Sequence, residues 1–149
     1  FKRKREQTLA AFSIITFTYF TNYLLFYLLP TYGPHIVESL QGLHTIEYRG
    51  FFISEITRFI QANLSVKGGA FPSSHVSAML VWSLIAFRYQ KKMGCVLMPV
   101  TLGVAASAVY LGYHHAVDVF GGLILGVFCY SVALALIRYK NEDPVTFSF

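Results

Sequence analysis

Residues 8–29 read TLAAFSIITFTYFTNYLLFYLL, a run of 22 residues that contains no charged side chain. About 20 consecutive apolar residues are enough for a helix to cross the hydrocarbon core of a bilayer. Pro30 and the pair Gly33 and Pro34 follow at once, and proline cannot continue a helix in its interior. We therefore predict a first membrane-spanning helix over residues 8–29.

Three further apolar segments predict three more spans, over residues 72–87, 93–111 and 116–137. The intervening residues 31–70 are more polar, but they contain a series of apolar side chains at helical spacing: Phe52, Ile56, Phe59, Ile60 and Leu64. Such a pattern is typical of a helix that lies in the membrane interface. The predicted fold class is all-α, a polytopic transmembrane helix bundle of about four spans with one interfacial amphipathic helix.

The composition agrees with this fold class. Of the 149 residues, 55% are hydrophobic and 13% are charged, and this charged fraction is about half that of an ordinary soluble domain. A water-soluble domain of this length could not bury so much apolar surface, so that class is excluded. Four spans use more than half of the chain, and residues 1–149 are therefore expected to form a single membrane-embedded domain.

The basic residues indicate an orientation in the membrane. The chain carries a formal net charge of +5, and nine of its twelve Lys and Arg residues lie in three clusters that flank apolar segments, at residues 2–5, 88–92 and 138–140. Basic clusters at span ends follow the positive-inside rule and are not the stripe that a nucleic-acid partner would require. This orientation places residues 31–70 and the turn at 113–115 on the extracytoplasmic side.

Three ionisable residues are brought to that same side by the predicted topology. His75 opens the second span, His114 follows the third, and Asp118 lies in the first turn of the fourth. The i, i+4 spacing of His114 and Asp118 allows a carboxylate to orient an imidazole as a nucleophile. His75 lies beside Ser73 and Ser74 at a helix N-terminus, where backbone N–H groups bind anions. The pair of histidines suits phosphoryl transfer with a bell-shaped pH dependence.

These residues also resemble two motifs of a known family. Residues 72–75 read PSSH, close to Pro-Ser-Gly-His, and Ser107, His114 and Asp118 match the motif Ser-Arg, five residues, His, three residues, Asp. In both motifs the sequence is similar to the type 2 phosphatidic acid phosphatase superfamily of membrane lipid phosphatases. That superfamily is related to vanadium haloperoxidases and to inositol-phosphoceramide synthases.

The resemblance implies a role for each matched residue. His114 would be the nucleophile that forms a phosphohistidine, Asp118 its orienting partner, and His75 the acid on the leaving group. The implied substrate is a lipid phosphate or diphosphate at the outer face of a cell or inner membrane. Membrane lipids are then the expected surroundings, and no nucleic acid, cofactor or metal is expected.

The sequence departs from the family pattern in two places. Ala108 occupies the position of the arginine in the second matched motif, and no segment matches the family's further motif, Lys, six residues, Arg-Pro. Phosphoryl transfer needs cations or N–H donors around the equatorial oxygens. We expect Lys67 and His35 in the outer loop, together with Ser73 and Ser74, to bind the phosphate.

Three alternatives stay open at this point. The run at residues 69–75 and the double His114-His115 resemble the inositol-phosphoceramide synthase branch, which also lacks the arginine and transfers a head group. His75, His114, His115 and Asp118 could instead hold zinc or iron. A third alternative is a non-catalytic member that binds lipid. The superfamily usually has six membrane helices, so one or two upstream helices are expected to be absent from this chain.

Overall fold

The computed structural model of the chain describes residues 2–34, 36–37 and 68–142, with residues 52, 55, 56, 59, 60 and 63 between them. Four helices run through this part of the chain in the order α1 Lys2–Leu28, α2 Ser74–Tyr89, α3 Lys91–Tyr110 and α4 Ala116–Glu142. The prediction of an all-α helix bundle is confirmed. His35, Lys67 and Leu64, which the sequence analysis singled out, lie outside the described residues.

The helices extend beyond the apolar segments that predict them. α1 begins at Lys2 instead of residue 8, and α4 continues to Glu142 instead of ending at residue 137. The reason is that charged side chains end the apolar segment but are good helix formers once they reach water or headgroups. At the other end of α1 the boundary is as expected, because Pro30 follows directly.

Three of these four helices are long and apolar enough to cross a bilayer, over Arg5–Leu28, Lys91–Tyr110 and Ala116–Tyr139. α2 has the 16 residues of the predicted second span but begins and ends two residues later, and it is shorter than the other three helices. At 1.5 Å per residue it is about 24 Å long, whereas the hydrocarbon core is about 30 Å thick.

α2 is the central helix of the bundle. It packs against α1, α3 and α4, and in the described part of the chain α1 and α3 do not contact each other. Along its length it buries seven side chains, Val76, Ser77, Ala78, Leu80, Val81, Ser83 and Ile85. One core cluster joins Ile14 of α1, Val81 and Ile85 of α2, and Ala133 of α4. The helices α1, α3 and α4 therefore all pack around α2.

Polar side chains also join the helices. The Asn22 side-chain amide of α1 donates to the Ser77 hydroxyl of α2 at 2.9 Å. The hydroxyls of Ser83 and Thr101 are 2.8 Å apart and link α2 to α3. Contacts of this kind between membrane helices contribute about 1 kcal/mol each to stability. They therefore help to determine which helices pack against α2 but supply little of the free energy of folding.

The segment that predicts an interfacial helix is described at only a few positions. Phe52, Ile56, Phe59 and Ile60 have helical conformation, and all four side chains are exposed. The Asn63 side chain donates to the Phe59 carbonyl, four residues earlier. Helical conformation is therefore present at these positions, with apolar side chains free to meet lipid.

The start of α4 lies directly against the start of α2. A Cβ atom placed on Gly122 would be 2.5 Å from the backbone oxygen of Ser73, and one placed on Gly121 would be 2.5 Å from the ring of Phe71. No side chain larger than hydrogen fits at Gly122 without moving backbone. These two glycines allow the His75 and Asp118 ends of the helices to meet.

We therefore predict that Gly122→Ala lowers the stability of the protein in detergent by about 1–3 kcal/mol, as expected for overpacking against backbone. Gly103→Ala is the matched control, because a Cβ at that helical position has no atom within 4 Å. That control should leave stability unchanged or raise it slightly. Thermal unfolding followed by circular dichroism measures both, and equal melting temperatures for the two variants would contradict the close approach.

Candidate active site

The turn between α3 and α4 positions His114. Gly112 has a φ of +69°, the left-handed conformation that glycine adopts at helix C-termini. The Gly112 amide donates to the Val109 carbonyl, and the Tyr113 and His114 amides both donate to the Ala108 carbonyl at 3.1 and 3.0 Å. The helix end is thereby closed in a Schellman arrangement. The backbone of His114 is consequently held by hydrogen bonds that do not involve its side chain.

The imidazole of His114 is buried, with 5% of the residue exposed. Its Nδ1 atom lies 2.8 Å from the backbone oxygen of Ala70, in the segment before α2. A carbonyl oxygen can only accept a hydrogen bond, so Nδ1 carries the proton. In the neutral ring the lone pair is therefore on Nε2. This atom is the one available for nucleophilic attack.

Asp118 lies near this ring but beyond hydrogen-bond distance from it. Its Oδ2 atom is 3.7 Å from Nδ1 of His114, within ion-pair range and beyond hydrogen-bond range. The same Oδ2 accepts the His115 backbone N–H at 2.8 Å, the bond that a carboxylate at the third helical position makes with the N-cap residue. The expected direct hydrogen bond between Asp118 and His114 is replaced by the bond to Ala70.

His75 lies beside His114. The two ring centroids are 5.8 Å apart with an interplanar angle of 64°, and His75 is exposed whereas His114 is buried. The sequence predicts that His75, His114 and Asp118 come together from three helices or their ends. The structure places all three at one end of the bundle.

Ser73 and Ser74 occupy different environments. Ser73 is the N-cap of α2 and is completely buried; its amide donates to the backbone oxygen of Asp118 at 2.9 Å. The expectation that the Ser73 amide is available to an anion is thus wrong, because Asp118 already uses it. Ser74, the first residue of α2, is half-buried. Its amide and that of His75 have no acceptor within the helix, as at every helix start.

Of the other candidate residues, His115 contacts this cluster through its backbone N–H, and two are not described. His115 is exposed and precedes α4, whereas His35 and Lys67 lie outside the described residues. Within the described ranges, no group of three or more His, Cys, Asp and Glu side chains is arranged to hold a metal ion. The described geometry therefore gives no support to the alternative of a zinc or iron site.

Thr31 is a residue that the sequence analysis missed. Its hydroxyl accepts the Phe71 amide at 2.7 Å, and its backbone oxygen accepts the Ala70 amide at 3.1 Å. Thr31 also pairs with Gly69 in an isolated parallel β-bridge. The end of α1 thereby holds the peptide whose carbonyl bonds to His114. A single threonine after a proline carries no sequence signal for such a role, because its partners are about forty residues away.

Electrostatics make the neutral form of His114 the favoured one. Burial lowers its pKa from the ordinary value of 6.5, and the neighbouring His75 acts in the same direction. The bond to Ala70 and the Asp118 carboxylate act in the opposite direction, since both favour the charged ring. His114 is thus a buried imidazole that stays neutral over a wider pH range than an exposed one.

Comparison with known proteins identifies the family of the chain. The family model of the PAP2 superfamily matches residues 7–142, from the second turn of α1 to the last residue of α4. The chain belongs to the PAP2 superfamily.

A relative within this superfamily is distant. A PA-phosphatase related-family protein of Dictyostelium discoideum is 26% identical over 115 residues. The match covers 75% of this chain and 21% of that protein, so the chain spans about a fifth of the relative's length. No solved structure matches the chain.

We predict that Asp118→Asn lowers the pKa of His114 further. The substitution keeps an oxygen that can accept the His115 amide but removes the negative charge that favours the protonated ring. A pH titration of the His114 ring resonances by NMR measures this pKa. Glu6→Gln is the control, because Glu6 lies at the other end of the bundle, and it should not change the pKa of His114. An equal shift of this pKa in both variants would argue against a specific effect of Asp118.

We further predict that Thr31→Val loosens the bond between Ala70 and His114, whereas Thr31→Ser preserves it. Valine matches threonine in shape but cannot accept the Phe71 amide, and an unpaired buried amide costs about 1–3 kcal/mol. NMR of nitrogen-labelled histidine reports which ring nitrogen of His114 is protonated. We expect a mixture of the two tautomers in Thr31→Val alone. Thr21→Val, which removes a hydroxyl bonded to Phe17 within α1, should behave like the wild type.

Proposed function

We propose that the chain catalyses phosphoryl transfer from a lipid phosphate or diphosphate with His114 as the nucleophile. The observation that supports this most is the bond from Nδ1 of His114 to the Ala70 carbonyl, which leaves the Nε2 lone pair on a buried, neutral ring. A neutral imidazole of fixed tautomer is what nucleophilic attack requires. The superfamily membership supports the same reaction class.

The proposed reaction has two steps. In the first, Nε2 of His114 forms a bond to phosphorus while the bond between phosphorus and the leaving oxygen breaks, and protonated His75 gives its proton to that oxygen. In the second, neutral His75 takes a proton from water, whose oxygen attacks the phosphohistidine and releases phosphate. His75 and His114 return to their starting states, so the proton and the bonds balance over one cycle.

Asp118 stabilises the charge that develops on His114 during attack. A negative charge 3.7 Å from Nδ1 becomes more favourable as the ring turns into a cationic phosphohistidine. The same carboxylate also satisfies the His115 amide at the start of α4, so it is fixed before substrate binds. Pre-positioned charge of this kind accounts for much of the barrier reduction in many enzymes.

The phosphate oxygens are proposed to contact the first turn of α2. The Ser74 and His75 amides lie at a helix N-terminus, where the helix dipole also favours an anion. Lys67 and His35 are proposed to supply the positive charge that the family pattern places on the arginine replaced here by Ala108. Ala108 itself is buried, and its carbonyl holds the turn before His114.

The site is proposed to face the extracytoplasmic side. Arg88, Lys91 and Lys92 lie at the junction of α2 and α3, opposite to His75 along α2, and Arg138 lies near the end of α4. By the positive-inside rule this basic end is cytoplasmic. The histidine pair would then act on lipids of the outer leaflet.

Head-group transfer is the second candidate, favoured by the absence of the arginine at Ala108. It follows the same first step, but a lipid alcohol replaces water in the second. Release of inorganic phosphate from a panel of lipid phosphates and diphosphates, measured with and without an added alcohol acceptor, separates the two reactions. Turnover only with the acceptor would assign the transferase.

The test of the nucleophile is His114→Gln, which we expect to reduce turnover by at least about 1000-fold, because the covalent step is lost. His75→Gln removes the proton donor and should cost about 100- to 10,000-fold. His115→Gln is the matched control and should retain activity. Trapping of labelled phosphate on the wild type and on His75→Gln but not on His114→Gln would support the assignment. Full activity of His114→Gln would refute it.

We also expect a bell-shaped pH dependence of kcat/KM in the wild type. Activity rises as His114 loses its proton, and because burial lowers the pKa of this ring, the rise occurs below the 6.5 of an exposed histidine. Activity falls again on the alkaline side, where the proton donor to the leaving oxygen is lost. Asp118→Asn should move the acidic limb of the profile to lower pH. If that limb does not move, it reports the titration of a group other than His114.

A further inference from the structure

A groove separates α1 from α3 at the opposite end of the bundle from His114. Both helices lie against α2, but in the described part of the chain they do not contact each other. The space between them is a cavity of about 740 Å³, lined by residues of the first half of α1, the end of α2 and the start of α3. This volume is within the range of about 300–1,000 Å³ that small-molecule ligands occupy.

The lining of the groove changes from polar to apolar along its length. Gln7, Thr8 and Gln90 line it near the helix ends. Deeper along the same helices the lining is apolar and includes Phe12, Ile15, Ile85, Ala86 and Leu97. From residue 7 to residue 15 α1 advances about 12 Å. The groove therefore matches an amphiphile with a polar head at the bundle end and an apolar chain directed into the membrane.

Exposed basic residues lie near the polar end of the groove in the sequence. Arg88, Lys91 and Lys92 are each next to a lining residue, and Arg5 is two residues before Gln7. The guanidinium of Arg88 lies 5.9 Å from the centre of the Tyr89 ring, which is itself part of the lining. Of the side chains that the structure describes at this end, Glu6 alone is acidic.

We propose that this groove binds an acidic phospholipid, with the headgroup phosphate among Arg88, Lys91 and Arg5 and one acyl chain between Phe12 and Leu97. Charge selects the acidic headgroup, and the polarity gradient selects a lipid over a free phosphate. The site is distinct from the candidate active site, because His75 and Tyr89 are at opposite ends of α2, about 21 Å apart. The proposal does not depend on the proposed catalytic function.

The chain carries its own reporter of this groove. Trp82 is its only tryptophan, lines the groove and is 46% exposed. Brominated acyl chains quench tryptophan fluorescence on contact. We would reconstitute the full chain in phosphatidylcholine vesicles that contain either brominated phosphatidylglycerol or brominated phosphatidylcholine at equal fractions. The ratio of the two quenching efficiencies measures the preference for the acidic lipid at Trp82.

We expect acidic brominated lipid to quench Trp82 several-fold more efficiently than zwitterionic lipid in the wild type. Arg88→Gln with Lys91→Gln should bring this ratio close to one, since each basic residue near a membrane surface favours acidic lipid about fivefold. Arg138→Gln is the control, because it removes a charge from the same end of the bundle but on α4, which does not line the groove. It should keep the wild-type ratio.

Three outcomes would overturn the proposal. Equal quenching by both lipids would mean that the groove holds lipid without regard to charge. A ratio that falls as far in Arg138→Gln as in the double variant would assign the preference to the surface charge of the whole bundle end. Absence of quenching by either lipid would mean that protein, from this chain or a second copy, covers the groove.

Discussion

The hydrogen bond from the Ser73 amide to the Asp118 carbonyl joins the start of α2 to the start of α4, and the arrangement of the site depends on it. The two backbones can approach only because Gly122 has no side chain. Once they are joined, Ala70 lies within reach of His114 and His75 lies beside it. The reactive side chains are therefore placed by backbone contacts, which do not change when the side chains titrate.

Asp118 combines a structural and an electrostatic role. Its backbone oxygen accepts from Ser73, and its side chain accepts from His115. One oxygen of the carboxylate is thus held by the His115 amide, and it lies 3.7 Å from Nδ1 of His114, beyond hydrogen-bond range. In the proposed mechanism this carboxylate stabilises the charge that develops on His114.

Much of the fold could be predicted from sequence, because long apolar segments have few alternatives to membrane helices. The helix ends were less predictable: Lys2 and Glu142 are helical although neither belongs to an apolar segment. The proximity of His114 and Asp118 follows from their spacing, and that of His75 follows from topology. The Ala70 carbonyl could not be foreseen, since every residue carries such an acceptor and only the tertiary structure selects one. The role of Thr31 could not be predicted from sequence for the same reason.

The short length of α2 has a consequence for access by substrate. A helix of 16 residues is about 6 Å shorter than the hydrocarbon core is thick. When its basic end is level with one edge of the hydrocarbon core, its first turn lies about 6 Å inside the other edge. Local thinning of the bilayer around a short helix would bring headgroups down to that depth. Under the proposed function, a phospholipid would then meet the two imidazoles from within its leaflet.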